Sequence, residues 1–229
     1  MSNWINLVFV VDESGSMMSS VNDVKDGWKK VISEQKANSD GRATVSLFTF
    51  NGKVTEHFIG RDVNELGEFG DYNPNGWTAL YDGVGEAIHK VGEWLYERDK
   101  NGEEMPSKTI VTVITDGHEN DSKEYTLENV RSMIKEQTDV YSWEFVYMGA
   151  DLTSDKDADT LGFTHRAFSV RSKLGDRFSS YLNKATNCYR SCSTVTEASA
   201  AVSSLLSTEA ELLNSEYSVD TGIKLKSKK

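Results

Sequence analysis

The 229-residue chain predicts an α/β fold of the doubly wound, Rossmann-like class, with a mostly parallel sheet, one antiparallel strand and helices on both faces. Three observations carry that prediction. The nearly all-apolar run at 5–11 and the Ile-, Val- and Thr-rich run at 109–115 read as parallel strands covered on both faces. Segments whose apolar residues recur at helical spacing alternate with them. Between two strand-like runs, 44–50 and 53–59, lies Asn51-Gly52, a hairpin signature that supplies the antiparallel strand.

Taken in order, the first run is apolar except for Asn6 and breaks off at Asp12-Glu13-Ser14-Gly15-Ser16. Val21, Val24, Trp28, Val31 and Ile32 then predict a helix over 18–36. In the hairpin, Asn-Gly offers the positive φ angles of a type I′ turn. Asp62 with Glu65 reads as a capping box on a short helix. Residues 67–76 combine Gly, Asn and Pro without periodicity and read as a loop, and Thr78 then stands in the N-cap place of the next helix. That helix carries Leu80, Val84, Ala87, Ile88, Val91 and Leu95 on one face and ends near Arg98. Asn101-Gly102 and Pro106 separate it from the strand at 109–115, which runs into Asp116-Gly117.

Leu127, Val130, Met133 and Ile134 predict the next helix, and 140–148 the next strand. An acidic segment at 153–160 reads as a short helix and 163–170 as a last strand. Leu174, Phe178, Tyr181, Leu182, Ala185 and Tyr189 form one more helical stripe. The expected organisation is one domain over 1–192, followed by a helical extension and loose basic tail over 193–229. In the extension, Thr194 with Glu197 resembles a capping box, Val202, Leu205, Leu206 and Leu212 share a side, and Lys224, Lys226, Lys228 and Lys229 form the tail.

Composition narrows the function classes. Apolar residues at 38% suffice for one sizeable core. A net charge of −11, from 36 acidic against 25 basic residues, argues against a nucleic-acid partner, which needs a basic face. No apolar run approaches a membrane span and no secretory signal is evident, so the expectation is no membrane and a cytoplasmic location. Cys188 and Cys192, four apart on one helix face, make neither a zinc site nor a disulfide framework and suit a reducing compartment.

Asp12, Ser14 and Ser16 place three small oxygen ligands on one tight loop beyond the carboxyl end of a parallel strand, where open sheets bind ligands. Hard oxygen donors suit Mg²⁺, Mn²⁺ or Ca²⁺ better than zinc. The plain alternative is a Ser or Asp that only starts a helix. Asp116 ends a second buried strand and so reaches the same edge, and the loop ahead of the long helix delivers Thr78 there.

Asp12-x-Ser14-x-Ser16, Thr78 and Asp116-Gly117 together resemble the metal-ion-dependent adhesion site (MIDAS) of von Willebrand factor type A domains, over roughly residues 4–190. The stretches Ala79-Leu80-Tyr81-Asp82-Gly83 and Thr115-Asp116-Gly117-His118-Glu119-Asn120 resemble compact bacterial and phage members. Trp77 departs from the Gly often found there, and with His118 it is a candidate partner contact. The resemblance implies direct ligation by the hydroxyls of Ser14, Ser16 and Thr78, with Asp12 and Asp116 acting mainly through water. It further implies Mg²⁺, with Mn²⁺ or Ca²⁺ as alternatives, and a protein partner offering a Glu or Asp carboxylate. Such a partner could be an AAA+ ATPase, with the chain as its adaptor, or belong to a phage or bacterial assembly.

The rival class is an enzyme. A Mg-dependent phosphatase of the haloacid dehalogenase type needs a second Asp where Ser14 stands. The chain has no P-loop motif, and no nucleophile elbow supports a triad of Ser14, His118 and Asp116. The expectation is a binding module without catalysis. A structural part of a virion, with no metal-dependent binding, is the other alternative.

Overall fold

The computed structural model describes residues 3–38, 41–149, 155–163, 165–168, 174–192, 197–198, 200–202 and 204. Strand β1 (Ile5–Asp12) leads through a 3-10 turn (Gly15–Ser20) into α1 (Val21–Ala37). The hairpin β2 (Ala43–Phe50) and β3 (Val54–Asp62) follows. The pairs α2 (Leu80–Lys100) with β4 (Lys108–Thr115) and α3 (Leu127–Tyr141) with β5 (Glu144–Gly149) come next. The described series closes with α4 (Asp155–Leu161), β6 (His165–Phe168) and α5 (Leu174–Ser191).

The strands form one sheet in the order β3-β2-β1-β4-β5-β6, with β2–β3 the antiparallel pair. Every residue of β1, β2, β4 and β5 is buried, as expected of strands covered on both faces. In β2, β4 and β5 the buried residues include Thr, Ser, Lys108 and Glu144 as well as apolar ones. Along β1 alternate residues serve two cores. Ile5, Leu7, Phe9 and Val11 pack with Trp28 and Val31 of α1 and Tyr181 and Leu182 of α5. Val8 and Val10 pack with Leu80, Val84 and Ile88 of α2 and Val130 and Ile134 of α3. The exceptional Asn6 is buried, and its Oδ1 accepts from the Thr44 hydroxyl (3.1 Å).

Chain order reverses between β1 and β4: the chain leaves β1 towards β2 and later returns to β4 on the other side. A crevice opens at such a switch point, beyond the carboxyl ends of the two strands. Asp12 ends β1 and Asp116 follows β4, so both carboxylates reach it.

Several local expectations change. The hairpin is present, but neither Asn51 nor Gly52 has a positive φ, so the turn is not type I′. Three residues connect Phe50 to Val54; the Lys53 N–H donates to Asn51 Oδ1 (3.1 Å), and the Asn51 carbonyl is taken by the Ala79 N–H (2.8 Å). The Asn51 side chain and this tertiary bond replace the local turn geometry. Asp62 caps a single 3-10 turn through the Asn64 N–H (2.9 Å), not an α-helix. Val140 and Tyr141 belong to the last turn of α3, and β5 starts only at Glu144; Ser142 ends that helix at φ 56°.

The 67–76 loop is sewn to the body. Phe69 and Tyr72 are buried in the α1-side core, and Trp28 donates from Nε1 to the Gly67 carbonyl (3.1 Å). Trp143 is buried and Trp94 half-buried, both packed in the opposite core. Cys188 and Cys192 are free thiols. Past α5, Ala198 and Val202 are buried, and Val202 joins the core around Trp28. Thr194, Leu205, Leu206, Leu212 and the basic tail lie outside the described residues. No described helix is long and apolar enough to cross a membrane.

Candidate metal centre

Asp12 is fully buried where β1 breaks off. Its Oδ1 accepts the Ser14 N–H (2.7 Å) and its Oδ2 the Thr115 hydroxyl (2.6 Å). Its backbone carbonyl accepts the hydroxyl of Tyr72 (2.5 Å). Burial is the main reason its carboxyl is pushed up to about 6, with the Asp116 charge adding to it and the bonds from Thr115 and Ser14 pulling the other way. Burial likewise raises the Tyr72 hydroxyl, which stays a neutral donor.

The bond from Ser14 N–H turns the chain sharply after Asp12 and brings Ser14 Oγ within 3.0 Å of Ser16 Oγ. Ser14 is buried and Ser16 exposed, so the hydroxyl pair leads from the interior to the rim. The Gly15 N–H donates to the Gly76 carbonyl (3.1 Å), which ties this loop to the one bearing Thr78. Gly76 adopts φ 76°, a left-handed conformation that favours glycine.

Thr78 is buried, and the N-cap position of α2 is Ala79, not Thr78. The helix start is capped from a distant loop instead. The Tyr81 N–H donates to Glu119 Oε2 and Ser122 Oγ (both 3.0 Å), and Asp82 accepts the N–H groups of Lys123, Glu124 and Tyr125 (2.8, 3.0 and 2.8 Å). This cap frees Thr78 from the role its position suggests.

Asp116 is buried at the crevice, and the residue after it decides how closely the loops meet. A Cβ on Gly117 would stand 3.0 Å from Thr78 Oγ1 and 3.4 Å from Asp12 Oδ2. The space that glycine leaves open is thus lined by oxygens from two other loops. Trp77 and His118 are exposed on those loops, Trp77 by 67%. All five oxygen-bearing residues named from the sequence thus lie at the end of β1 or on the loops that meet beside it at one crevice. Tyr72, Thr115, Glu119, Asn120 and Ser122, which position them, were not assigned roles from sequence; a buried Thr at a strand end was the one available hint.

The model of the von Willebrand factor type A domain matches residues 6–171. The chain belongs to that family. Solved structures share the fold of this type A domain at low identity. The PilB minor pilin of Streptococcus sanguinis, as a point mutant, aligns with TM-score 0.56 and 11% identity over 81% of this chain and 62% of its own. The proximal thread matrix protein 1 of the mussel byssus, with a zinc-occupied MIDAS motif, gives 0.51 and 16% over 80% of this chain and 46% of its own. The manganese-loaded TRAP protein of Plasmodium vivax gives 0.52 and 17% over 78% and 75%. The chain therefore spans less than two thirds of the pilin and under half of the byssus protein. No curated protein sequence matches it. Type A domains generally serve as interaction modules.

Proposed function

We propose that this type A domain holds a divalent cation at the β1–β4 crevice and docks a partner protein's carboxylate onto it. The observation that carries the reading is the oxygen set. Ser14 and Ser16 hydroxyls lie 3.0 Å apart, and Thr78 Oγ1 and Asp12 Oδ2 border the same gap beside Gly117. Among the described residues no group of three or more His, Cys, Asp or Glu gathers, so a thiolate–imidazole site or a carboxylate cage does not compete.

Mg²⁺ is the proposed ion, with Mn²⁺ or Ca²⁺ as alternatives, because every donor is a hard oxygen. Ser14, Ser16 and Thr78 would hold it through their hydroxyls. Asp12 and Asp116 would act through water; both Asp12 oxygens already accept protein hydrogen bonds, which favours an outer role. When bound, the cation supplies a positive charge that neutral hydroxyls leave under-compensated, and an outside Glu or Asp answers it. Exposed Trp77 beside Thr78 and exposed Met18 just past Ser16 offer apolar contact to the residues flanking that carboxylate, with His118 at the same rim.

Likeness to compact bacterial and phage members extends the proposal to a cytoplasmic adaptor for an AAA+ ATPase, or to a part of a phage or bacterial assembly. The 1–192 unit would carry this binding, with 193–229 as an appendage. No catalysis is proposed, since Ser14 occupies the position where a phosphatase needs its second acid.

The test is a pull-down with the full chain in Mg²⁺ and in EDTA, read by mass spectrometry. The expected result is a partner retained only with Mg²⁺ and lost for Asp12→Ala and Thr78→Ala, both with unchanged circular dichroism. Metal-independent capture, or ester hydrolysis that disappears in Asp12→Asn, overturns the reading.

A further inference from the structure

We infer that Asn120 is a positioning residue for the cation site, acting through Thr78; the inference rests on the metal reading above. Asn120 grips both backbone polar groups of Thr78. The Thr78 N–H donates to Asn120 Oδ1 (2.8 Å), and the Asn120 N–H donates to the Thr78 carbonyl (3.0 Å). Two bonds to one residue fix the plane of the backbone on both sides of the Thr78 Cα, and with it the direction in which Oγ1 leaves. The next amide is also committed, Ala79 N–H to the Asn51 carbonyl (2.8 Å).

Asn120 has a second connection that makes the grip specific to this site. It lies four residues after Asp116 on the loop that Glu119 and Ser122 fasten to the start of α2. A shift of Thr78 relative to Asp116 must therefore break the Asn120 bridge. The bridge is built from a side-chain acceptor on an exposed residue, so the fold does not need it to bury a core. Ligands to a small cation tolerate little misplacement, and groups that orient them are worth about 10–100-fold in affinity.

The only part of Asn120 needed is an acceptor at Oδ1, which Asp also provides and Ala lacks. The experiment compares wild type, Asn120→Ala and Asn120→Asp by calorimetric Mn²⁺ titration, and by hydrogen exchange of the Thr78 amide in EDTA. Expected for Asn120→Ala is a Thr78 amide that exchanges faster without metal and an affinity at least about tenfold weaker. Asn120→Asp should restore protection and bind at least as tightly as wild type. Equal Mn²⁺ affinity in Asn120→Ala and wild type, with Mn²⁺ still bound, overturns the clamp alone. Equal losses in the Ala and Asp variants do the same, because the acceptor is then irrelevant. Failure of the wild type to bind Mn²⁺ overturns the metal reading and the clamp with it.

Discussion

Asp12 sits in the crevice at an energetic disadvantage that a cation would remove. Its carboxyl titrates near 6 in the folded chain against 3.8 in the unfolded one, mainly because it is buried. The folded state therefore holds the Asp12 proton more tightly than the unfolded state. This contributes stability that is fully present below pH 3.8 and is lost as pH rises through about 6. The metal-free chain should accordingly lose on the order of 3 kcal/mol from this group between pH 4 and 7, measured by urea unfolding in EDTA. Asp12→Asn should flatten that part of the profile and melt at or above wild type at pH 7, since the Thr115 hydroxyl can turn to accept from an amide. For the cation the sign reverses: it favours the ionised carboxylate, so Mn²⁺ affinity should fall about tenfold from pH 7 to pH 5. Gly117→Ala tests the neighbouring gap. Its Cβ would meet Thr78 Oγ1 at 3.0 Å without any positive φ to strain the backbone. We expect Mn²⁺ affinity to drop by about tenfold or more, with unchanged circular dichroism.

At the scale of elements, the site depends on how closely α2 lies on the sheet. A Cβ on Gly83 would come within 2.7 Å of the Phe50 ring, and one on Gly85 within 2.4 Å of Tyr125. Gly83→Ala should push the start of α2 outward and destabilise the chain by about 1–3 kcal/mol in urea unfolding, with Mn²⁺ affinity falling in parallel because Thr78 precedes that helix. The strands and helices themselves were legible in the sequence. Strands buried on both faces leave runs rich in β-branched and apolar residues, and those at 5–11 and 109–115 each run into an aspartate of the candidate site. The pairing of the Ser14 and Ser16 hydroxyls was legible too, because both residues are local to Asp12. What was not legible joins residues far apart in the chain. The distal capping of α2 by Glu119 and Ser122 spans about forty positions, as does the grip of Asn120 on Thr78. The Tyr72 bond to the Asp12 carbonyl crosses sixty, from a loop whose composition signals only irregularity. The Asn51-Gly52 turn failed for the same reason: Ala79 holds the Asn51 carbonyl, and a Cβ on Gly52 would meet Asp121 Oδ2 at 2.9 Å. Glycine there serves a close approach, not a dihedral angle.

Across the whole molecule, the two ends of the central strands carry opposite solutions to buried charge. At the amino end of β4, Lys108 and Glu144 neutralise one another (2.9 Å), and Lys108 also donates to the Ser142 carbonyl (2.5 Å); burial nonetheless lowers the lysine. At the carboxyl end, Asp12 and Asp116 are two like charges brought together by the same parallel register. Eight residues of strand separate the ends, about 26 Å at the usual rise, so they act independently. A divalent ion should therefore stabilise the chain through one end only. At a hundred times its dissociation constant, Mg²⁺ should add about 2.7 kcal/mol, which for a domain of this size raises Tm by roughly 5–10 °C in a thermal scan, reversed by EDTA. Replacing Lys108 and Glu144 together by Met and Leu should leave that increment unchanged, even though the starting Tm moves. Asp12→Asn should abolish the increment while leaving the starting Tm at or above that of wild type. A Mg²⁺ response that follows the Lys108–Glu144 end, or one that survives in Asp12→Asn, would place the ion somewhere other than the β1–β4 crevice.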